Sequence, residues 1–503
     1  MRMDEVRAGA LATTAGTADA AAPGAAAPAG LAGTSRSARE AGLVARVVDK
    51  LFSPVDASSL GAFRILFGVV MFAEVGRYFV EGRIWRYYIE PKFLFTYELA
   101  PFVKPWPGAG MYVHFAVMGV CALGIVLGFH TRLATALFGL GYTYVFLLDK
   151  AQYNNHYYLI SLLCLLMTVV RANRWASIDR WRSGAPSVVP FWNLFLLRAQ
   201  VFLVYFFAGV AKLNSDWLGG EPMRSWLRER AHYPVLGPFF TTEAAAYFFS
   251  WGGAIFDLSI GFLLLSRRTL PIAFLLILVF NMTNHWLFDI GVFTFLMICA
   301  TILFDEPDVP RRLFGQPAPA LVPEPSDTRS RHRALVLGFL GLYLTVQTLL
   351  PLRHFLYPGN VSWTEEGHRF SWHMKLRSKR GKLKVLVTDP STGRTWKADL
   401  GEDLTPRQMT KMAARPDMIF QYVHYLRDKL ERQGIRNPII KVDSRMSLNR
   451  RPYQHAIDPN VDLAKEPKLL LAHAPWLVQL DESLEPGTLS DEEYAAGPRR
   501  RRR

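Results

Sequence analysis

The stretch YFFAGVAKLNSDWLGGEPMRSWL, residues 205–227, places Lys212 at the end of an apolar run, with Asp216 four residues on and Trp217 beside it. A charge at membrane depth is costly and usually faces a protein interior, a cavity or a site. Local chemistry allows three roles for this lysine. Its long side chain can snorkel to the membrane surface. It can pair with Asp216 at helical spacing and stay charged. Held out of water, it can instead give up its proton more readily and act as a general base. Spacing alone does not choose among them.

Two further clusters interrupt apolar runs. In YVFLLDKAQYNNHYYLISLLCLL, Asp149, Lys150, Asn154, Asn155 and His156 gather at a join. The plain reading is a polar turn in which Asn favours the bend. The gap is short, however, and a histidine flanked by aromatics can serve as acid, base or hydrogen-bond donor. In FNMTNHWLFDIGVFTFLMI, Asn281, Asn284, His285 and Asp289 either bond neighbouring helices or line a small-molecule pocket. Arg64, Glu74 and Asp257 are further charges in apolar runs, and pairing among them is the expectation. The three cysteines, Cys121, Cys164 and Cys299, all lie in apolar blocks without CxxC spacing. Neither a zinc site nor a disulfide framework is indicated, and no metal is expected.

The elements that must hold these groups follow from how the apolar residues are grouped. The chain has 503 residues, 50% of them hydrophobic and only 20% charged. Runs of about 18 or more mainly apolar residues fall near 58–79, 111–129, 131–148, 191–211, 244–265, 270–288 and 334–356, with shorter ones at 157–170 and 291–304. The fold class is therefore a multi-pass α-helical membrane protein of about eight or nine crossings with a small C-terminal α+β extramembrane domain. Residues 1–40, rich in Ala, Gly and Pro, read as a disordered tail, and 41–356 as the helical transmembrane domain. Residues 357–485 read as the α+β domain, with strand-like LKVLVTD, RTWKADL and PIIKVD around the amphipathic helix DMIFQYVHYLRDKLERQG, which Gly434 can stop. Residues 486–503 form a basic tail ending in GPRRRRR. The net charge of +16 flanks the apolar blocks and fills that tail, so membrane lipid rather than nucleic acid is the expected anionic partner. Arg36, Arg39, Arg46 and Lys50 favour a cytoplasmic N-terminus, and nine crossings would then put the C-terminal domain on the extracytoplasmic side.

LFSPVDASSLGAFRILFGVVMF, YVFLLDKAQYNNHYYL, VPFWNLFLLRAQVFLVYFFAGVAKLNSDWLGGEPM, FDLSIGFLLL, NHWLFDIGVFTF, FSWHM and IDPNVDLA occur in this order. Together they resemble the vitamin K-dependent γ-glutamyl carboxylase family, whose membrane part is the horizontally transferred transmembrane domain. The resemblance covers roughly residues 50–480 and is most specific through Lys212. It implies a membrane enzyme of carbon–carbon lyase type that couples oxidation of vitamin K hydroquinone by O2 to addition of CO2 at the γ-carbon of protein glutamate. A glutamyl γ-CH is far too weak an acid for any side-chain base near neutral pH. The family solves this by letting quinol oxygenation generate a much stronger base in a water-poor pocket.

The same resemblance assigns roles. The lysine of the family's KLDADW-like motif corresponds to Lys212 in KLNSDW, implying the base that starts quinol oxygenation. The histidine of its WNNHSYL-like sequence corresponds to His156 in YNNHYYL, preceded by Asn155. Asn154, Asn155, Asp216, Trp217, Asn284 and Trp372 are the implied cofactor-binding residues. The implied partners are the lipid-soluble quinol, vitamin K hydroquinone or a menaquinol-type relative, and a glutamate-containing protein or peptide. The Ala- and Arg-rich composition suits a bacterial inner membrane. The animal enzymes' lumenal disulfide has no counterpart among cysteines that all sit in apolar blocks. Competing expectations are a quinol epoxidase or oxygenase that carboxylates no protein, and a non-catalytic membrane maturation factor or transporter. The paired Lys212 and His156 motifs favour an enzyme, and the internal repeats of a transporter are not seen.

Overall fold

The computed structural model describes residues 31–469 and 472–497. Its first helix, α1 (Leu31–Phe52), starts inside the stretch expected to be a disordered tail; residues 1–30 lie outside the described residues. The apolar runs then fold as α2 (Ser58–Val80), α3 (Gly110–Leu127), α4 (Thr131–Leu148), α5 (Asn155–Val169), α6 (Trp192–Ala211), α7 (Glu243–Leu265), α8 (Leu270–Phe288), α9 (Val292–Ala300) and α10 (Ser330–Leu352). Among the described residues, seven helices are long and apolar enough to cross a membrane, and α5 and α9 belong to two shorter apolar helices. This is a membrane-spanning helical domain.

Two close contacts fix how helices of the bundle sit against one another. The first is the approach of α6 to α7. A Cβ on Gly209 of α6 would lie 2.7 Å from the Leu258 backbone nitrogen, and one on Gly261 of α7 would lie 2.6 Å from the Phe202 ring. Small residues at both contacts let the two backbones come close. The second is Arg64, fully buried in α2. Instead of pairing with Glu74, its guanidinium donates to the carbonyls of Ile125 (2.7 Å) and Val126 (2.9 Å) at the end of α3, and to those of Trp175 and Ala176. These carbonyls include orphan acceptors of a helix end, which a cation both satisfies and complements electrostatically. Glu74 pairs with Arg77 (3.0 Å) and Arg83 (3.7 Å).

A short antiparallel pair, β1 (Pro54–Asp56) with β2 (Val188–Pro190), ties α2 to α6. The C-terminal domain is a four-stranded antiparallel sheet of β3 (Lys379–Thr388), β4 (Thr395–Lys397), β5 (Ile439–Leu448) and β6 (Gln454–His455), in the order β4-β3-β5-β6. Alternation along β3 and β5 turns Val385, Val387, Ile440, Val442 and Met446 inward. They pack against α11 (Pro406–Ala413) and the expected amphipathic helix α12 (Pro416–Arg432), whose Met418, Ile419, Tyr422, Val423 and Leu426 face them at helical spacing.

The sheet domain is fused to the helical one. Phe95 and Ala151, from loops of the membrane domain, are buried in its core. Asp149 accepts hydrogen bonds from the Phe95 and Ala151 amides and from Gln408. Burial pushes its carboxyl up to about 6 despite those bonds. The fully buried Lys150 reaches Glu98 (2.5 Å) and Asp417 (3.4 Å). On the other flank Asp216 accepts two hydrogen bonds from Arg451 (2.6 and 2.7 Å) and one from Asn449 (2.7 Å). Residues 486–497, expected as part of a loose basic tail, are also folded. Here α13 (Asp491–Ala496) starts in a Ser490–Glu493 capping box and buries Tyr494. The remaining residues, 498–503, lie outside the described residues.

The Asp216–Arg451 pair is a buried strut, and breaking such a pair leaves an uncompensated charge worth about 3–5 kcal/mol. Arg451→Met should therefore lower the thermal midpoint of the purified protein well below that of wild type. Combining it with Asp216→Asn should recover part of the loss. A single variant melting with wild type would show that the strut carries no stability.

Candidate functional site

A cavity of about 700 Å³ opens among α2 and α5 to α9, and Met374, Lys375 and Arg407 of the sheet domain contribute to its wall. That volume lies within the range of small-molecule sites. Lys212, the residue after α6, and His156, in the first turn of α5, both line it, together with Asn154, Asn155, Trp217 and Asn284. Residues from three separated sequence clusters thus meet at one place.

Lys212 is 6% exposed and donates to Asp257 of α7, and weakly to the Ala208 carbonyl (3.3 Å). Asp257, itself 4% exposed, is the expected intramembrane charge that finds this partner. Lys212 therefore neither snorkels nor pairs with Asp216. The helix ends at Ala211, and Asn214 caps a new turn at Ser215–Leu218, so the four-residue spacing does not run along one helix face. Trp217 lies with its ring centroid 5.3 Å from Lys212 Nζ, and its indole N–H donates to the Ser250 carbonyl (2.7 Å). A cation over an indole is held by the ring's negative face. Nearby, the Tyr205 hydroxyl is buried in the wall without a hydrogen-bond partner among the described residues.

On the opposite sequence arm, the His156 ring makes no hydrogen bond among the described residues, and Arg77 and Arg83 are the charges acting on it. Asn155 is engaged at both ends: its oxygen accepts from the Tyr153 hydroxyl (2.9 Å), and its amide donates to the His373 carbonyl (3.0 Å). It braces the start of α5. Asn154 donates to the Gln152 carbonyl (3.3 Å).

Two expected cofactor-binding residues fall outside the lining. The Asp216 carboxylate is consumed by Arg451 and Asn449. Trp372 is fully buried against Tyr158, with ring centroids 5.0 Å apart. Asp149 and Lys150 likewise turn into the sheet domain. His285 packs on Phe295 rather than lining the cavity. The lining residues that sequence reasoning misses are Tyr205, Arg77, Arg83, Lys375 and Arg407, while Asp257 stands out there only as a charge. Opposite charges at the end of one apolar run and within another are a usable signal for Lys212 and Asp257. Nothing in spacing points from Lys375 or Arg407 to a cavity among membrane helices.

The loop that brings Met374 and Lys375 to the cavity is unusual. Glu365, Phe370, Trp372 and Lys375 all adopt left-handed backbone, with φ of 69°, 64°, 58° and 48°. Non-glycine residues held there cost about 1–3 kcal/mol each and persist only when their surroundings over-determine them. Here the Phe370 amide donates to the Tyr153 hydroxyl (2.7 Å), and Arg353 donates to Ser371 (3.1 Å) and to the Arg369 carbonyl. Glu365 receives Arg377 (2.6 Å) and Lys379 (3.1 Å). Burial alone would raise that carboxyl, but Arg377 and Lys379, with Arg415 and Arg369 behind them, hold it at about 2. The His373 ring sits between His354 and His368, at centroid distances of 4.8 and 5.2 Å. Burial, reinforced by His354, pushes His373 down to about 3 and keeps it neutral.

The sequence matches the family model of the HTTM domain over residues 52–309. It also matches that of the vitamin K-dependent gamma-carboxylase lumenal domain over residues 332–483. No solved structure matches the chain.

The depressed Glu365 carboxyl gives a signed pH prediction. A group held below its ordinary value of 4.5 contributes stability that is present above that value and is lost as pH falls toward about 2. Glu365→Gln should therefore be destabilised by about 3–5 kcal/mol at neutral pH. It should also lose less thermal stability than wild type between neutral pH and acid. Parallel melting curves across that window would remove Glu365 as the anchor of the loop.

Proposed function

Because the chain belongs to the vitamin K-dependent gamma-carboxylase family, we propose that it is an integral membrane carboxylase. It would oxidise a vitamin K-type hydroquinone with O2 to the epoxide and add CO2 to the γ-carbon of glutamate in a protein substrate. The observation that carries this reading is the meeting of Lys212 and His156 on one cavity wall.

The cavity would suit a bicyclic quinol. Phe249, Phe256 and Phe280 give it an apolar flank, while Tyr205 and His156 offer polar groups that form no hydrogen bond among the described residues. When bound, the hydroquinone supplies, through its reaction with O2, the strong base that removal of a glutamyl γ-proton requires. In its amine form, Lys212 Nζ would take the proton of the quinol hydroxyl, and Asp257 would pair with the ammonium so formed. Trp217 holds the same ammonium over its ring. His156 donates a hydrogen bond to the substrate oxygen, where it stabilises developing negative charge. The aromatic walls exclude water, which would quench a strong base. Asn155 keeps α5 in place through the His373 carbonyl, and Asn284 completes the polar side of the wall.

The test incubates purified protein with reduced vitamin K, O2, labelled bicarbonate and a glutamate-containing peptide. Wild type should yield epoxide and labelled peptide. Lys212→Ala should lower both by about 10²–10⁴-fold, the range for loss of a general base. Epoxide without labelled peptide would instead identify a quinol oxygenase. Neither product, where a known carboxylase works, would sink both readings. Full epoxidation by Lys212→Ala would remove the lysine from its role.

A further inference from the structure

We infer that the open face of the C-terminal sheet is a docking surface for an acidic polypeptide segment. The register of the sheet builds it. Lys382 stands opposite Arg445, Lys384 opposite Asp443, and Leu386 lies between Lys441 on β5 and Lys397 on β4. Arg380 continues the row on β3. Side chains on alternate positions share a face, and the other face of the same strands is the buried core. The open face therefore carries six cations, Arg380, Lys382, Lys384, Lys397, Lys441 and Arg445, against one carboxylate, Asp443. Asp443 is already shared by Lys384 and Arg445, at 3.1 Å each. Lys382, Lys397 and Lys441 are exposed and form no ion pair among the described residues.

Like charges side by side on a sheet are destabilising, so the stripe is not there for the sheet's own stability. At one end of the row lies α13, whose sequence DEEYAA is the chain's own acidic segment. Tyr494 sits over Arg380 and Arg450, with guanidinium carbons 5.0 and 5.1 Å from the ring centroid. Asp491 pairs with Arg450, and Arg380 donates to the Tyr494 carbonyl (3.3 Å). Gly497 then lies against the Lys382 side chain, and the sequence continues as Pro498 and Arg499 to Arg503. Beyond α13, Lys397 and Lys441 meet no carboxylate among the described residues. A membrane surface is the less suitable occupant. Lipid-docking faces set aromatic and large apolar anchors among their cations, and Leu386 is the one large apolar side chain within this row.

The surface works by charge complementarity, which steers and registers an acidic partner and weakens with salt. The test uses the full chain in nanodiscs of zwitterionic lipid and a fluorescein-labelled peptide of alternating Glu and Ser. Binding is read by anisotropy at low and high salt. Wild type should bind at low salt and release as salt rises, and the Gln-for-Glu peptide should not bind. Lys382→Glu combined with Lys441→Glu should weaken binding at least tenfold without lowering the melting temperature. Equal affinity in the variant would overturn the proposal. So would anionic vesicles binding through these two lysines while the peptide fails to bind. The inference does not rest on the proposed reaction. Epoxide formation with a short glutamate peptide should be the same in the variant as in wild type, and its absence from both would count against the reaction alone.

Discussion

The contact between Lys212 and Asp257 is the constraint around which the membrane domain is arranged. Both residues are buried, and either one buried alone would cost several kcal/mol. They can meet only because α6 and α7 approach closely at Gly209 and Gly261, where a Cβ would strike the opposite helix. The segment after α6 is then pinned to α7 along its length. Trp217 donates to the Ser250 carbonyl, and Trp251 to the Leu218 carbonyl (3.1 Å). Packing thus fixes this pair in the cavity wall, apart from the pairs that Glu74 makes there with Arg77 and Arg83.

The sheet domain decides which carboxylate that lysine sees. Asp216 is nearer in sequence than Asp257, but Arg451 and Asn449 take its oxygens with three short hydrogen bonds. With Asp216 neutralised from outside the membrane, the partner of Lys212 comes from α7. A second tie, from Asn155 to the His373 carbonyl, joins the start of α5 to the strained loop that supplies Met374 and Lys375. The cavity is therefore built jointly. Its walls are membrane helices, and its remaining side is held by hydrogen bonds that a boundary near residue 357 would have assigned to a separate domain.

What could be read in the sequence was what depends on short-range pattern. Each apolar run became a helix because its length and hydrophobicity leave the backbone no other way to satisfy its hydrogen bonds in lipid. The amphipathic period of α12 carried equally well. Partner choice was not legible. Lys212 and Asp216 have helical spacing, but the helix ends between them. Arg64 and Glu74 share α2, yet Arg64 is drawn to orphan carbonyls of α3 and Glu74 to Arg77 and Arg83. The polar cluster at residues 149–156 split, with Asp149 and Lys150 bonding to Gln408 and Asp417 of the sheet domain and His156 facing the cavity. The acidic residues just before the arginine-rich end formed a capped helix rather than a tail, because Tyr494 could be buried over two guanidinium groups.

The polar groups around the cavity differ in how far the protein already satisfies them, and that difference sorts bracing from binding. Asn155 has partners at both ends, and Asp216 has three donors, so a ligand would have to displace protein hydrogen bonds to use either. Trp217 spends its N–H on Ser250 and offers only its ring. Among the described residues, the Tyr205 hydroxyl and the His156 imidazole are left without a hydrogen bond. In a poorly solvated space an unmet donor or acceptor is costly, and the first correctly placed partner recovers that cost. A flat ligand carrying oxygens at its edge would meet both needs while its faces lay against phenylalanine rings. Its hydroxyl proton would then have one basic side chain within the wall that is buried, paired and held in register by two helices.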